Sequence, residues 1–350
     1  MKMTRREFVR KLVRRIHKEA ETLDRDVTIM HVCGSHERTI VEHGLRSLLP
    51  ENVRLVCGPG CPVCVTTTGE LAAAIKAAED GMVVCAFGDV YRVPTPVGSL
   101  SSCDGDVRVV QSVRKAEEIA ESEDRDVLYL AVGFETTAPT TAAVLLDDPP
   151  SNFYVLSAHR LIPPAMEWLL ESGECRLDAF ICPGHVSTII GTGPYESVAR
   201  ELPCVVAGFE PEDVLIAVLA CLKMLRRGRV GVTNEYLRAV EDRGNPVAKE
   251  LMERAFEPED RPWRGFPTIP ESALKLREDL ADHDAIEIGI RPDYTLGHDE
   301  SCICDRILRG LAEPRDCPLF GTKCTPTDPV GPCMVSEEGP CFIEYRFGGG

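Results

Sequence analysis

Short apolar runs alternate with amphipathic stretches from about residue 27 to residue 230. The apolar runs cover 27–32, 53–57, 82–87, 107–110, 127–132, 152–156, 179–182 and 204–207. Most are rich in β-branched residues and almost unbroken, which is the pattern of strands covered on both faces. Between them, helical spacing predicts helices over 69–78, 112–122, 140–147, 164–171, 195–201 and 212–227. Such alternation predicts parallel sheets joined by crossover helices. The pattern runs twice, over 27–122 and 125–227, and each half places Gly- and Pro-rich loops directly after strands. The expected fold class is α/β: two parallel-sheet units facing a cleft, followed by a small cysteine-rich region at the C-terminus. Ligands in such folds collect at the carboxyl ends of the strands.

The expected division is an N-terminal helix over 1–24, α/β domains over 25–123 and 124–230, and a helical and cysteine-rich region over 231–350. Phe8, Leu12, Val13 and Ile16 recur at helical spacing and predict an amphipathic surface helix. After residue 230 a helical segment is expected over 234–254, then a charged, proline-rich stretch over 256–270. The tail from His298 reads as loops (PRD, PLFG, TPTDPVGP, SEEGP), so its order must come from something other than a large apolar core. A metal cluster would supply that order.

Composition narrows the function. A net charge of −17 over 350 residues argues against nucleic acid or an anionic membrane as partner. No stretch reaches the roughly 18 apolar residues of a membrane span. The basic start lacks the apolar core and cleavage site of a secretory signal. The expected location is therefore cytoplasmic. There, sixteen cysteines are better suited to metal or redox chemistry than to a disulfide framework. Cys85, Cys182, Cys204 and Cys221 lie in apolar runs and read as small core residues.

Other cysteines lie in motifs that follow strands. Cys33-Gly34-Ser35-His36-Glu37 puts a thiol, an imidazole and a carboxylate within five residues. Cys and His suit soft or borderline metals, and Glu37 could orient His36 or move a proton. An ordinary buried cysteine before a helix start is the competing reading. Gly58-Pro59-Gly60-Cys61-Pro62-Val63-Cys64 is a Cys-x-x-Cys opening a helix. That placement lowers a thiol pKa and suits a reversible disulfide. Zinc would need a second ligand pair, and none has suitable spacing. Gly133-Phe134-Glu135-Thr136-Thr137 offers backbone N–H groups and hydroxyls to an anion, or simply caps a helix. In Cys182-Pro183-Gly184-His185, the imidazole is a ligand, a base or a core histidine. No phosphate-binding loop of the usual pattern is present.

The tail carries Cys302, Cys304, Cys317, Cys324, Cys333 and Cys341. A 4Fe–4S cluster takes four thiolates, so two would be spare. On an extended strand Cys302 and Cys304 would share a face roughly 6–7 Å apart, one ligating and the other lying against the cluster. A spare pair could then form a disulfide beside it. A zinc site from the same thiols is the alternative.

Taken together, CGSHE, GPGCPVC, GFETTAPTTA, PGHVSTIIG and the tail motifs DCPLFGTKCTP and GPCMVSEEGPC resemble the hydrogenase maturation factor HypD family. The connecting stretches FGDVYRVP, VLSAHRLIPPAM and GFEPEDVL also match, and the likeness runs from about residue 27 to the end. The resemblance implies a scaffold for assembling the Fe(CN)2CO unit of nickel–iron hydrogenases, acting with a HypC-type chaperone and a HypE-type cyanide donor. It implies that Cys33 holds the iron together with a partner's cysteine, that His36 lines the iron site, and that Cys61 and Cys64 form a thiol/disulfide pair nearby. By likeness to the cluster environment of ferredoxin–thioredoxin reductase, Cys302, Cys317, Cys324 and Cys341 would ligate a 4Fe–4S cluster, with Cys304 and Cys333 as a redox pair. Such a protein is a redox-active scaffold more than a conventional turnover enzyme. Ser35 stands where the family usually has Thr, and the loop after FGDVYRVP is short; Cys57 and Cys103 match no family pattern. The competing function is an iron–sulfur thiol–disulfide reductase, which would need neither Cys33 nor His36.

Overall fold

A computed structural model describes residues 4–297 and 299–349. His298, where the tail was expected to begin, lies outside them. The chain is α/β as expected, with two all-parallel sheets among the described residues. The first holds β1 (Val27–His31) and β2 (Val53–Cys57). The chain then crosses to a second sheet built from β3 (Val83–Phe87), β4 (Asp106–Val110), β5 (Val127–Gly133) and β6 (Phe153–His159). It returns to the first with β7 (Ala179–Pro183), β8 (Pro203–Ala207) and β9 (Gly231–Asn234). The strand orders are β2-β1-β7-β8-β9 and β4-β3-β5-β6. Each of the eight expected runs is a strand. The sheets are interleaved in sequence, however, so neither coincides with residues 25–123 or 124–230.

The alternation of side chains along each strand explains the layering. Val27 and Ile29 of β1 face outward onto the helix Pro211–Arg226 and the N-terminal helix Arg5–Glu21. Met30 and Val32 face the other way, into a core shared with Val84, Leu128 and Leu130 of the second sheet. That shared core also takes in Ile307, Leu308 and the tail cysteines, so the tail packs between the sheets. A third cluster, including Val83, Cys85 and Tyr129, covers the outer face of the second sheet. The N-terminal helix forms as its spacing predicts; Thr4 and Glu7 close its first turn as a capping box, and Leu12, Ile16 and Ala20 are buried.

Three expected features differ. Residues 234–254 are not one helix: β9 ends at Asn234, a turn follows, and the helix is Pro246–Ala255. Gly244 at φ +67°, the Asn245 cap and Pro246 in the first turn fix that start. The proline-rich stretch is an antiparallel hairpin, β10 (Phe256–Pro262) with β11 (Thr268–Leu276). It docks on β6 through Leu161 N–H to Ser272 O and the Ser157 hydroxyl to Leu274 O. The stretch 195–201 is two short 3-10 turns. Among the described residues no helix is long and apolar enough to cross a membrane.

Candidate functional site

The carboxyl ends of strands from both sheets converge on one cavity of about 510 Å³. β1 contributes Cys33, the β2 loop Gly60 and Pro62, β3 Asp89, β5 Thr136 and Thr137, and β7 His185. Glu338 reaches in from the tail. This is where parallel α/β folds place ligands, because helix starts and free backbone N–H groups gather there.

Cys33 is the residue that caps the helix Gly34–Glu42, and it is 7% exposed. Burial, then the neighbouring Glu338 carboxyl, push its thiol up to about 11. It is a neutral thiol at pH 7 that a soft cation would deprotonate on binding. The Cys-x-x-Cys loop is locked against it: Gly34 N–H donates to Gly60 O at 3.1 Å, and Gly58 N–H donates to His31 O at 2.8 Å. A Cβ at Gly60 would collide with the Cys33 backbone, so only glycine allows this approach. Cys61 and Cys64 form a disulfide, with Cα atoms 5.3 Å apart, and both are fully buried. The two thiol motifs are thus one structural unit.

His185 lines the cavity, stacked on Phe209 at 3.9 Å between ring centroids. Partial burial lowers its pKa, so it offers a neutral imidazole. Thr136 and Thr137 face the same space. Thr137 precedes the helix Ala138–Leu145 without a side-chain cap hydrogen bond, so its hydroxyl is not spent on capping. Beneath them, Glu135 is buried; burial raises its carboxyl to about 7, and Oε2 has no partner.

His36 and Glu37 are not at the cavity wall. His36 is fully buried, its Nε2 donating to Gly208 O at 3.0 Å, and burial holds it neutral down to about pH 3. It ties the Cys33 helix to the end of β8. Glu37 is buried behind Cys33; burial alone would raise its pKa, but Arg46 and His31 hold it at about 2. Its Oε2 accepts from Arg46 at 2.7 Å and from His31 at 2.8 Å. With Cys57, this His31–Glu37 pair places three donor atoms within 4.8 Å of one another. Glu37 is already saturated by hydrogen bonds, so the group reads as a buried ionic brace for the first sheet.

Sequence reasoning missed Asp89 and Glu338. Asp89 follows β3 in the FGD tripeptide, and burial raises its carboxyl. Glu338 lies in SEEGP; burial and Asp89 raise it to about 7, although water reaches it through the cavity. The position of FGD at a strand end was the available signal for Asp89. Nothing local marks Glu338, because tertiary packing alone brings the tail to Gly34, where a Cβ would strike Glu338.

In the tail, Cys304 and Cys333 form a disulfide, and Cys302, Cys317, Cys324 and Cys341 are free thiols. All six border one small internal cavity. The free thiols are close enough to raise one another: burial first, then Cys317 and Cys324, lift Cys302 to about 11, and burial with Cys302, Cys324 and Cys317 lifts Cys341. Four converging thiols without competing hard ligands fit an iron–sulfur cluster, and the disulfide lies against them. Cys85, Cys182, Cys204 and Cys221 are fully buried and free, as expected of core residues.

The fold and site together define a thiol-rich α/β protein. A family model described as "HypD: Hydrogenase formation hypA family" matches residues 7–348. The chain belongs to the HypD family of hydrogenase maturation factors. Similar proteins include the hydrogenase maturation factor HypD of Cupriavidus necator, 40% identical over 98% of this chain and 95% of that one. The HypD of Azotobacter vinelandii is 43% identical over 97% and 94%, and that of Escherichia coli 39% over 93% and 90%.

Proposed function

We propose that this hydrogenase maturation factor holds iron at Cys33 while cyanide and carbon monoxide are attached, giving the Fe(CN)2CO unit. A HypC-type chaperone would supply the second thiolate and a HypE-type protein the cyanide. The observation that carries this reading is the position of Cys33, a thiol at the wall of the strand-end cavity, held by backbone hydrogen bonds against the loop that leads into the Cys61–Cys64 disulfide. Thiolates donate charge to low-spin ferrous iron and suit strong-field ligands. Thr136, Thr137 and the His185 N–H are donors for cyanide nitrogens.

Cys302, Cys317, Cys324 and Cys341 would hold a 4Fe–4S cluster, which when bound supplies electrons. The protein's own part is thiol–disulfide exchange between Cys304/Cys333 and Cys61/Cys64. Replacing Cys304 and Cys333 by serine should leave the brown cluster absorption intact and stop hydrogenase maturation; unimpaired maturation contradicts the relay. C33S separates this reading from a simple iron–sulfur thiol–disulfide reductase. Loss of bound iron with intact disulfide turnover supports the scaffold, whereas undiminished iron binding excludes it.

A further inference from the structure

The tip of the hairpin, between β10 and β11, inserts Arg264 into the protein between the two disulfides. Its backbone N–H donates to Val65 O at 2.9 Å and its Nε to Thr66 O at 2.8 Å, the two residues that follow Cys64. The residue is 7% exposed, and among the described residues Nη2 has no hydrogen-bond partner. A water-sized cavity beside it is bordered by Cys64, Cys302, Cys304 and Gly331. The carboxylates bordering that cavity are otherwise engaged: Asp305 with Arg309 at 2.6 Å, and Asp299 with the Ser301 N–H and hydroxyl. The other acidic groups near Arg264 are the Cys302 thiol, which borders the same cavity, and Glu70, which is bound by Arg160 and Arg261. Gly265 fixes the insertion, since its φ of +75° and the packing of Asp305 against it exclude a side chain.

An incompletely paired guanidinium in such a site is costly, and burial lowers its pKa to about 10, which still leaves it charged at pH 7. The cost is recovered when a negative charge appears beside it. We propose that Arg264 is the counter-ion for the thiolates formed as electrons pass between Cys304/Cys333 and Cys61/Cys64, so that it sets the ease of that exchange. This rests on the relay described above. In the exchange, the Cys304 thiolate attacks Cys64 Sγ, forming the Cys304–Cys64 bond, breaking Cys61–Cys64 and releasing the Cys61 thiolate. The Cys333 thiolate then attacks Cys304 Sγ, restoring Cys304–Cys333 and releasing the Cys64 thiolate. Two electrons move in all, and no outside oxidant is consumed. Thiolate charge thus passes from Cys304 and Cys333 to Cys61 and Cys64, and one sulfur of each pair, Cys304 and Cys64, borders the cavity beside Arg264.

The test uses the full-length protein with its cluster, equilibrated against glutathione buffers. Reduced Cys61/Cys64 is counted by thiol trapping and mass spectrometry. R264Q should shift the equilibrium toward the disulfide about tenfold, roughly 30 mV for a two-electron couple, and R264K should restore most of the wild-type value. Thermal melts and the cluster's visible spectrum report whether each variant is folded and loaded. A wild-type equilibrium in folded R264Q overturns the proposal. Equal losses in R264K and R264Q also overturn it, because they would show a role of shape rather than charge. The relay itself is read separately: if dithionite-reduced C304S/C333S protein still reduces Cys61–Cys64 at the wild-type rate, the relay falls, whatever Arg264 does.

Discussion

At the scale of single residues, the cavity makes its acidic groups hold their protons more tightly than free side chains do. Cys33 is kept as a thiol by burial and by Glu338, so at pH 8 only about one molecule in a thousand carries the thiolate. Its alkylation by iodoacetamide should therefore be slow, and E338Q should speed it several-fold because a nearby negative charge is removed. An unchanged rate would place Glu338 too far away to matter. Glu135 gives a stability signature. Its folded pKa of about 7 lies above the ordinary carboxyl value of 4.5. The stability it contributes is full below pH 4.5 and is lost as pH rises through 7, by an amount of the order of 3 kcal/mol. Urea midpoints should fall between pH 5 and pH 8, and E135Q should flatten that fall. Glu37 has the opposite sign: its pKa of about 2 stabilises the fold above pH 4.5 and ceases to do so as pH falls toward 2.

At the scale of elements, the site is made by two loops that share backbone hydrogen bonds. Gly60→Ala forces a methyl group into the Cys33 backbone, and overpacking of that kind costs about 1–3 kcal/mol or more. We expect a lower urea midpoint together with faster access of alkylating reagents to Cys33. The strands were legible in sequence because buried parallel strands are written as unbroken β-branched runs, and each expected run is a strand. The hairpin was not legible. Pro258, Pro262, Pro270 and six charged residues, Glu257, Glu259, Asp260, Arg261, Glu271 and Lys275, break the usual strand signature, and the pairing is stabilised by docking on β6. With the hairpin went Arg264, which no local motif identifies. The thiol motifs were legible because cysteine flanked by glycine and proline after a strand has few structural uses. The placement of His36 was not, since its burial depends on β8, more than 160 residues away.

At the scale of the whole molecule, the chain begins in one sheet, builds the other, and returns. The pairing of β1 with β7 crosses about 150 residues, and no local pattern encodes such a choice. The result is a core shared by both sheets and the cysteine-rich tail, which takes in the two disulfides and the four free tail thiols. Trp168 and Trp263 both report on that shared core. Urea unfolding followed by tryptophan fluorescence and by far-ultraviolet circular dichroism should give coincident transitions; separated transitions would mean that the two sheets unfold independently. The central claim is that this core exists to present iron at Cys33 to diatomic ligands. It is tested most directly by the infrared spectrum of the protein isolated anaerobically with its HypC-type partner. Bands of metal-bound cyanide and carbon monoxide that vanish in C33S are the predicted result, and a spectrum without them from iron-loaded wild-type complex would contradict it.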